Sequence, residues 1–256
     1  MEIEIVALSQ QGGRNYNEDS QGHWHDDQFI ICVVADGAGG HGGGDVASSI
    51  VRSSVLASFS AAPVLSGKVL RDLLLQANAE VLVRQKEGGK LSAMRTTAVV
   101  AVIDLYANQL IWAHCGDSRA YLFRSRTLQT RTIDHSLVQQ MVSTGMIDDE
   151  GARMHTQRNL LLSALGATED EIEITVSEPM DIEPGDVLLL CSDGIWEPLG
   201  DNTIERLLLR AASPKSWLQQ IDESVKANAK PDHDNYTALT LWAYAADEVT
   251  QIAPLQ

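Results

Sequence analysis

Apolar residues recur along the chain in two rhythms. Runs rich in Val and Ile fall at about 2–8, 28–35, 97–105, 109–114, 119–124, 171–177, 186–192 and 237–243, and they predict strands. The N-terminal "MEIEIVALSQ", which alternates acids with apolar residues, is the first of them. Helical spacing takes over at 45–60, where Val46, Ile50, Val51 and Val55 form a stripe, and at 68–86, with Leu70, Leu73, Leu74, Ala77 and Val81. "DHSLVQQMVSTGMI", "NTIERLLLRAA" and "SWLQQIDESVKANA" predict shorter helices, the first stopped by Gly145. Strand pairs separated by helix pairs predict an α+β layered fold and speak against regular βαβ alternation. No repeat, low-complexity tract or linker interrupts the chain, so a single domain over 1–256 is expected. The polar, Met-containing stretch at about 136–165 is expected to form a flap over a site.

Composition narrows the partners. The 256 residues carry 19 basic and 35 acidic side chains, a net charge of −16, which argues against nonspecific binding to nucleic acid or anionic membrane and favours cations. Cys32, Cys115 and Cys191 each lie inside an apolar run and form no C-x-x-C pair, so buried, reduced thiols are expected. No apolar stretch approaches the roughly 20 residues that span a bilayer, and the start of the chain is a strand pattern rather than a signal. A soluble, cytoplasmic monomer is the expectation.

The segment "VVADGAGGHGGGDVAS" at 33–48 raises the question of whether its glycines hold a phosphate. Gly37, Gly39 and Gly42 fit G-x-G-x-x-G between a predicted strand and a predicted helix. A dinucleotide fold would also want an acid roughly 20 residues on to hold the ribose. That region reads "LASFSAAPVL", without one, and no G-K-[ST] follows the glycines. Asp36 beside a pyrophosphate would be unfavourable unless a metal lay between them.

Acids instead recur where apolar strands stop: "IICVVAD" ends at Asp36, "LIWAHCGD" at Asp117 and "VLLLCSD" at Asp193. Any one of them reads as a turn, since Asp-Gly is a strong turn signal. Together with "NYNED" near the start and "HDN" near the end, they form a set that would bind hard cations if the strand ends converge, because Mg²⁺ and Mn²⁺ prefer oxygen ligands. Other motifs carry less. "GDSRA" at 116–120 misses the nucleophile elbow G-x-S-x-G at Ala120, which leaves Ser118 structural. His114 and Cys115 are adjacent in a strand, so they point to opposite faces and do not chelate together. His23 and His25 flank Trp24 in a predicted hairpin and read as solvated turn residues.

The stretches "RNYNEDS", "VVADGAGGH", "AHCGDSRAYLFR", "TIDHSLVQQMVSTGMI", "HTQRNLLLSALGA", "LLLCSDGIWEPL" and "HDNYTALTLW" run from Arg14 to about Trp242. In these the chain resembles the bacterial metal-dependent protein serine/threonine phosphatases of the protein phosphatase 2C (PPM) family. The resemblance implies a four-layer α-β-β-α sandwich, two central antiparallel sheets flanked by helix pairs, with a binuclear Mn²⁺ or Mg²⁺ centre at one end. It implies that Asp36 bridges two metals, that Asp193 and Asp234 hold one, and that Gly37 offers its carbonyl to the other. Glu18 and Asp19 would act largely through waters on the metals, Arg14 would clamp the substrate phosphate, and Asp117 with Asp193 would hold a weaker third ion. The implied activity is hydrolysis of phosphoserine and phosphothreonine on proteins by a metal-activated water, opposing a serine/threonine kinase.

The physics agrees with that assignment. Paired cations lower the pKa of a water between them and neutralise an in-line displacement, and a guanidinium grips two phosphate oxygens at once. The glycines then let the chain turn sharply behind Asp36, and the G-x-G-x-x-G match is accidental. Two positions depart from the family pattern. Ala38 stands where eukaryotic relatives carry a histidine that protonates the leaving group, and His41, three residues on, is expected to pack rather than substitute for it. Arg95, in "MRTTAVV", stands where relatives usually have glycine. The non-catalytic alternative, a phosphoprotein-binding scaffold, is opposed by the complete set Asp36, Asp193 and Asp234.

Overall fold

The computed structural model describes residues 1–38, 42–228 and 230–246. Two antiparallel sheets form its centre. One joins β1 (Glu2–Gln10), β8 (Arg119–Arg124), β9 (Thr127–Arg131), β12 (Val187–Cys191) and β13 (Tyr236–Tyr244) in the order β1-β13-β12-β8-β9. The other orders β10 (Thr175–Val176), β7 (Gln109–Cys115), β6 (Ala98–Asp104), β3 (Phe29–Ala35) and β2 (Ser20–His25), with β11 (Met180–Asp181) also on β7. A short ladder pairs β4 (Gly37–Ala38) with β5 (Arg95–Thr96).

Period-two alternation builds the layers. In β3, Ile31, Val33 and Ala35 face the two long helices α1 (Gly44–Ala61) and α2 (Gly67–Gln85), while Ile30, Cys32 and Val34 face the opposite sheet. In β12, Leu188 and Leu190 enter the space between the sheets, whereas Val187, Leu189 and Cys191 pack under α5 (Asp193–Leu199), α6 (Asp201–Arg210) and α7 (Pro214–Asn228). Both faces of the central strands are covered, so these runs read as continuously apolar. The three buried clusters are the three seams of an α-β-β-α sandwich, the layered architecture the sequence implies.

Strand direction decides where the site falls. β3 and β7 both pair antiparallel with β6, so they run the same way, and both end beside the start of β6. In the other sheet, β1 and β12 both end opposite the start of β13. The acids that terminate these strands are thereby gathered at one end of the sandwich.

Several elements differ from those expected of the sequence. The strand expected at 171–177 contracts to Thr175–Val176 behind a 3-10 turn at Glu169–Glu171. The 134–147 helix is α3 (Leu137–Ser143), capped by the Ser136 side chain, and α4 (Asp149–Met154) follows it, capped by Asp148. His23 and His25 lie on β2 of the predicted hairpin with β3. Gly39, Gly40 and His41 lie outside the described residues, while Gly42 and Gly43 have φ of 98° and 102°, the left-handed values that a turn behind Asp36 requires. No helix among the described residues is long and apolar enough to cross a membrane.

Candidate metal centre

A cleft of about 420 Å³ opens at this end of the sandwich, lined by Arg14, Tyr16, Glu18, Asp36, Gly37, Ala38, Asp117, Asp193 and Asp234, with Asn159 and Leu161 from the segment after α4. All the sequence-predicted site residues but one line it. Asp19 lies behind the wall, where one carboxylate oxygen accepts from Ser192 Oγ at 2.8 Å and the other is buried without a hydrogen-bond partner among the described residues.

Backbone hydrogen bonds fix Asp36 and Asp117, which leaves their carboxylates free to face the cleft. Asp36 follows the last residue of β3; its N–H donates to Thr97 Oγ1 at 3.1 Å, and its carbonyl accepts from Thr97 N–H at 2.8 Å and Thr96 Oγ1 at 2.9 Å. Thr97 Oγ1 is also 2.7 Å from Ser118 Oγ, which ties the Asp36 and Asp117 turns together. The Asp117 carbonyl accepts from the Trp196 indole N–H at 2.9 Å, and the preceding Gly116 N–H donates to His135 Nδ1 at 3.2 Å. Asp193 opens α5, where a negative charge meets the positive end of the helix. Asp234 directly precedes Asn235 and β13, and accepts from Arg14 Nη2 at 2.7 Å.

Close approach explains two glycines. A Cβ on Gly37 would stand 2.3 Å from the Gly44 carbonyl oxygen and 2.6 Å from that of Glu18. Gly116 has φ of 100°, and a Cβ there would lie 2.8 Å from Thr97 Cβ. Larger residues would part the turns that carry the acids.

The carboxylates load the site with unneutralised charge. Burial, then Asp19, Asp193, Asp117 and Asp234, push the Asp36 pKa well up. Burial followed by Asp117 and Asp234 does the same for Asp193. Asp117 is pushed up to about 7 by burial and then Asp134, and Asp19 to about 6 chiefly by burial. Burial also raises Glu18. Glu18 Oε1, Asp19 Oδ1 and Asp193 Oδ1 are buried with no hydrogen-bond partner among the described residues, a costly state for anionic oxygens unless a cation completes it.

This donor set fits hard divalent cations. Oxygen ligands, mutual repulsion and orphaned buried oxygens are the signature of such a site. Among the described residues no three Asp, Glu, His or Cys side chains form a ready-made cage. Mg²⁺ and Mn²⁺ sites that keep waters and use a backbone carbonyl need no such cage, and the orphaned oxygens are the more direct indicator.

Several supporting residues carry no signal in the sequence. Thr97, Ser192 and His135 act only through turns that distant strands bring together. Asn235 is visible as the last letter of "HDN", but its work is three hydrogen bonds: it accepts from Glu18 N–H at 2.8 Å and donates to the carbonyls of Gln11 at 2.6 Å and Tyr16 at 3.0 Å. Trp196 also receives the Arg119 guanidinium over its ring at 3.6 Å, while Arg119 grips Asp134 through two nitrogens at 2.8 and 2.7 Å.

A sandwich with buried strand-end carboxylates around an arginine-rimmed cleft defines the class of metal-dependent phosphatases. Residues 9–240 match the family model described as protein phosphatase 2C, and the chain belongs to that family. It is 35% identical over 233 residues to the serine/threonine phosphatase stp of Listeria monocytogenes, covering 88% of this chain and 90% of the relative. The solved structure of the serine/threonine phosphatase Stp1 from Staphylococcus aureus superposes with a TM-score of 0.86 at 29% identity, over 96% of each chain. The catalytic domain of the phosphatase PstP in complex with two manganese ions superposes with a TM-score of 0.78 at 29% identity, covering 95% of this chain and 99% of that one.

Proposed function

We propose that the cleft hydrolyses phosphoserine and phosphothreonine in proteins, with Asp36, Asp193, Asp234 and the Gly37 carbonyl holding two Mn²⁺ or Mg²⁺ ions. The observation that carries this reading is the convergence of strand-end carboxylates beneath the Arg14 rim, with buried oxygens that have no hydrogen-bond partner among the described residues. Cations bound there supply the charge that makes water nucleophilic near neutral pH and neutralises the phosphoryl oxygens.

The chain's own residues do the rest. Arg14 is half exposed at the rim and gives one guanidinium nitrogen to Asp234, which leaves further N–H groups to bind two phosphate oxygens and orient the ester. Glu18 and Asp19 would act largely through waters on the ions, and Asp19 is itself oriented by Ser192. Asp117, with Asp193, provides for a third and weaker ion. The segment at 136–165 acts as a flap that brings Asn159 and Leu161 over the cleft and limits access to phosphoprotein substrates. The physiological setting that suits this chemistry is cytoplasmic, opposite a serine/threonine kinase.

The test is phosphate release from matched phosphothreonine and phosphotyrosine peptides, with Mn²⁺ or with chelator, for the wild type and Asp193→Asn. Manganese-dependent turnover that prefers phosphothreonine and falls at least about 100-fold in Asp193→Asn is the expected result. Equal turnover in chelator, or a folded wild type inactive in every metal, would count against it.

A further inference from the structure

Two buried imidazoles stand behind the Asp117 turn, and the metal chemistry does not use them. The rings of His114, on β7, and His135, just before α3, stack with centroids 4.5 Å apart and 16° between their planes. Burial lowers the pKa of both, His114 to about 4, so both are neutral near pH 7. Hydrogen bonding then selects one tautomer for His135. Its Nδ1 meets the Gly116 N–H at 3.2 Å and has to accept, so the ring proton sits on Nε2, which donates to Thr175 Oγ1 at 2.9 Å. His114 donates its Nε2–H to the Ile133 carbonyl at 2.8 Å, two residues before His135, and so braces the segment that carries it.

The main chain of His135 completes the grip. Its N–H donates to the Gly116 carbonyl at 3.0 Å, so one residue satisfies both backbone groups of the glycine that precedes Asp117. On its other side, the His135 carbonyl accepts from the Leu162 N–H at 2.8 Å, next to the bridge between Ser136 and Leu161, and Leu161 lines the cleft. A packing role would need a ring of this size but no particular nitrogen; here both ring nitrogens and both backbone groups are engaged. We propose that His135 is a positioning residue for Asp117: the acceptor at Nδ1 fixes the Gly116–Asp117 turn and ties it to the 160–162 segment at the cleft. The turn that presents the Asp117 carboxylate and the segment beside the substrate are thereby held as one unit. The proposal rests on the metal-dependent phosphatase reading and names a residue that serves it.

Asparagine and glutamine separate the two ring nitrogens, because an Asn amide oxygen reaches the place of Nδ1 and a Gln amide group the place of Nε2. In the chelator-treated wild type, nitrogen NMR is expected to show His135 protonated at Nε2 alone, with the Gly116 amide exchanging at least about 100-fold more slowly than in an unfolded chain. His135→Asn is expected to keep that protection and to leave the Mn²⁺ concentration for half-maximal turnover of a phosphothreonine peptide within about threefold of the wild type. His135→Gln is expected to lose the protection and to raise that concentration about tenfold or more. A wild-type ring protonated at Nδ1, an unprotected Gly116 amide, or Asn and Gln variants that behave alike overturns the positioning role and leaves the phosphatase reading intact. The first two outcomes are read from the wild type, so the test stands if a variant fails to fold. A wild type with the expected tautomer and protection but no metal-dependent turnover overturns the phosphatase reading, and the role of His135 in it, while the grip on Gly116 remains.

Discussion

Asn235 contributes no carboxylate to the cleft, yet it fastens three points of the 11–18 loop to the start of β13. Through it, the loop bearing Arg14 and Glu18 is registered against the strand that follows Asp234. Alanine at this position removes all three hydrogen bonds and leaves the Glu18 N–H and two carbonyls seeking water. Partners that orient metal-holding groups typically contribute 10–100-fold to affinity or activity. Asn235→Ala is therefore predicted to lower kcat/KM for a phosphothreonine peptide by roughly that factor and to shift the Mn²⁺ activation curve to higher concentration. An unchanged activation curve in a folded Asn235→Ala protein would show that the loop is registered by other means.

At the scale of elements, the sequence revealed most where a single rhythm persisted. β3, β6, β12 and β13 are buried on both faces, and their continuous apolar runs were legible as strands. α1 and α2 were legible from their apolar stripes. β9, "TLQTR", is a polar edge strand, and its only apolar residue gives no alternation to read. α5, "DGIWEPL", carries Gly194 and Pro198, two residues that argue against a helix, but burial of Ile195, Trp196 and Leu199 overrides that propensity. α4 buries no residue at all, so no stripe could announce it. The strand-end acids were legible as a list; their convergence follows from the directions of β3, β7 and β12, which are a property of pairing between distant segments. The hydroxyls of Thr97 and Ser192 were illegible for the same reason.

At the scale of the whole molecule, the carboxylates make metal-free stability depend on pH. Burial raises Asp117 to about 7 and Asp19 to about 6, above the ordinary Asp value near 3.9, so the folded chain binds protons more tightly than the unfolded chain between these limits. The sign follows from linkage: their contribution to stability is full below about pH 4 and is lost as pH rises through the folded values. Chelator-treated protein is predicted to lose on the order of a few kcal/mol from this source between about pH 4 and 7. Asp117→Asn, which cannot titrate, should lose less over the same window in denaturant melts at a series of pH values. Identical pH slopes for the two proteins would contradict the assigned environment of Asp117.

The same repulsion is the driving force for cation binding, and Asp36, which feels four other acids, stands at its centre. The most direct measurement is calorimetric titration of Mn²⁺ into the chelator-stripped chain at neutral pH, comparing the wild type with Asp36→Asn. The wild type is predicted to bind about two ions with saturable heat, and Asp36→Asn to lose both strong sites while remaining folded. A wild type without saturable binding, or an Asp36→Asn protein that binds as the wild type does, would contradict the metal centre.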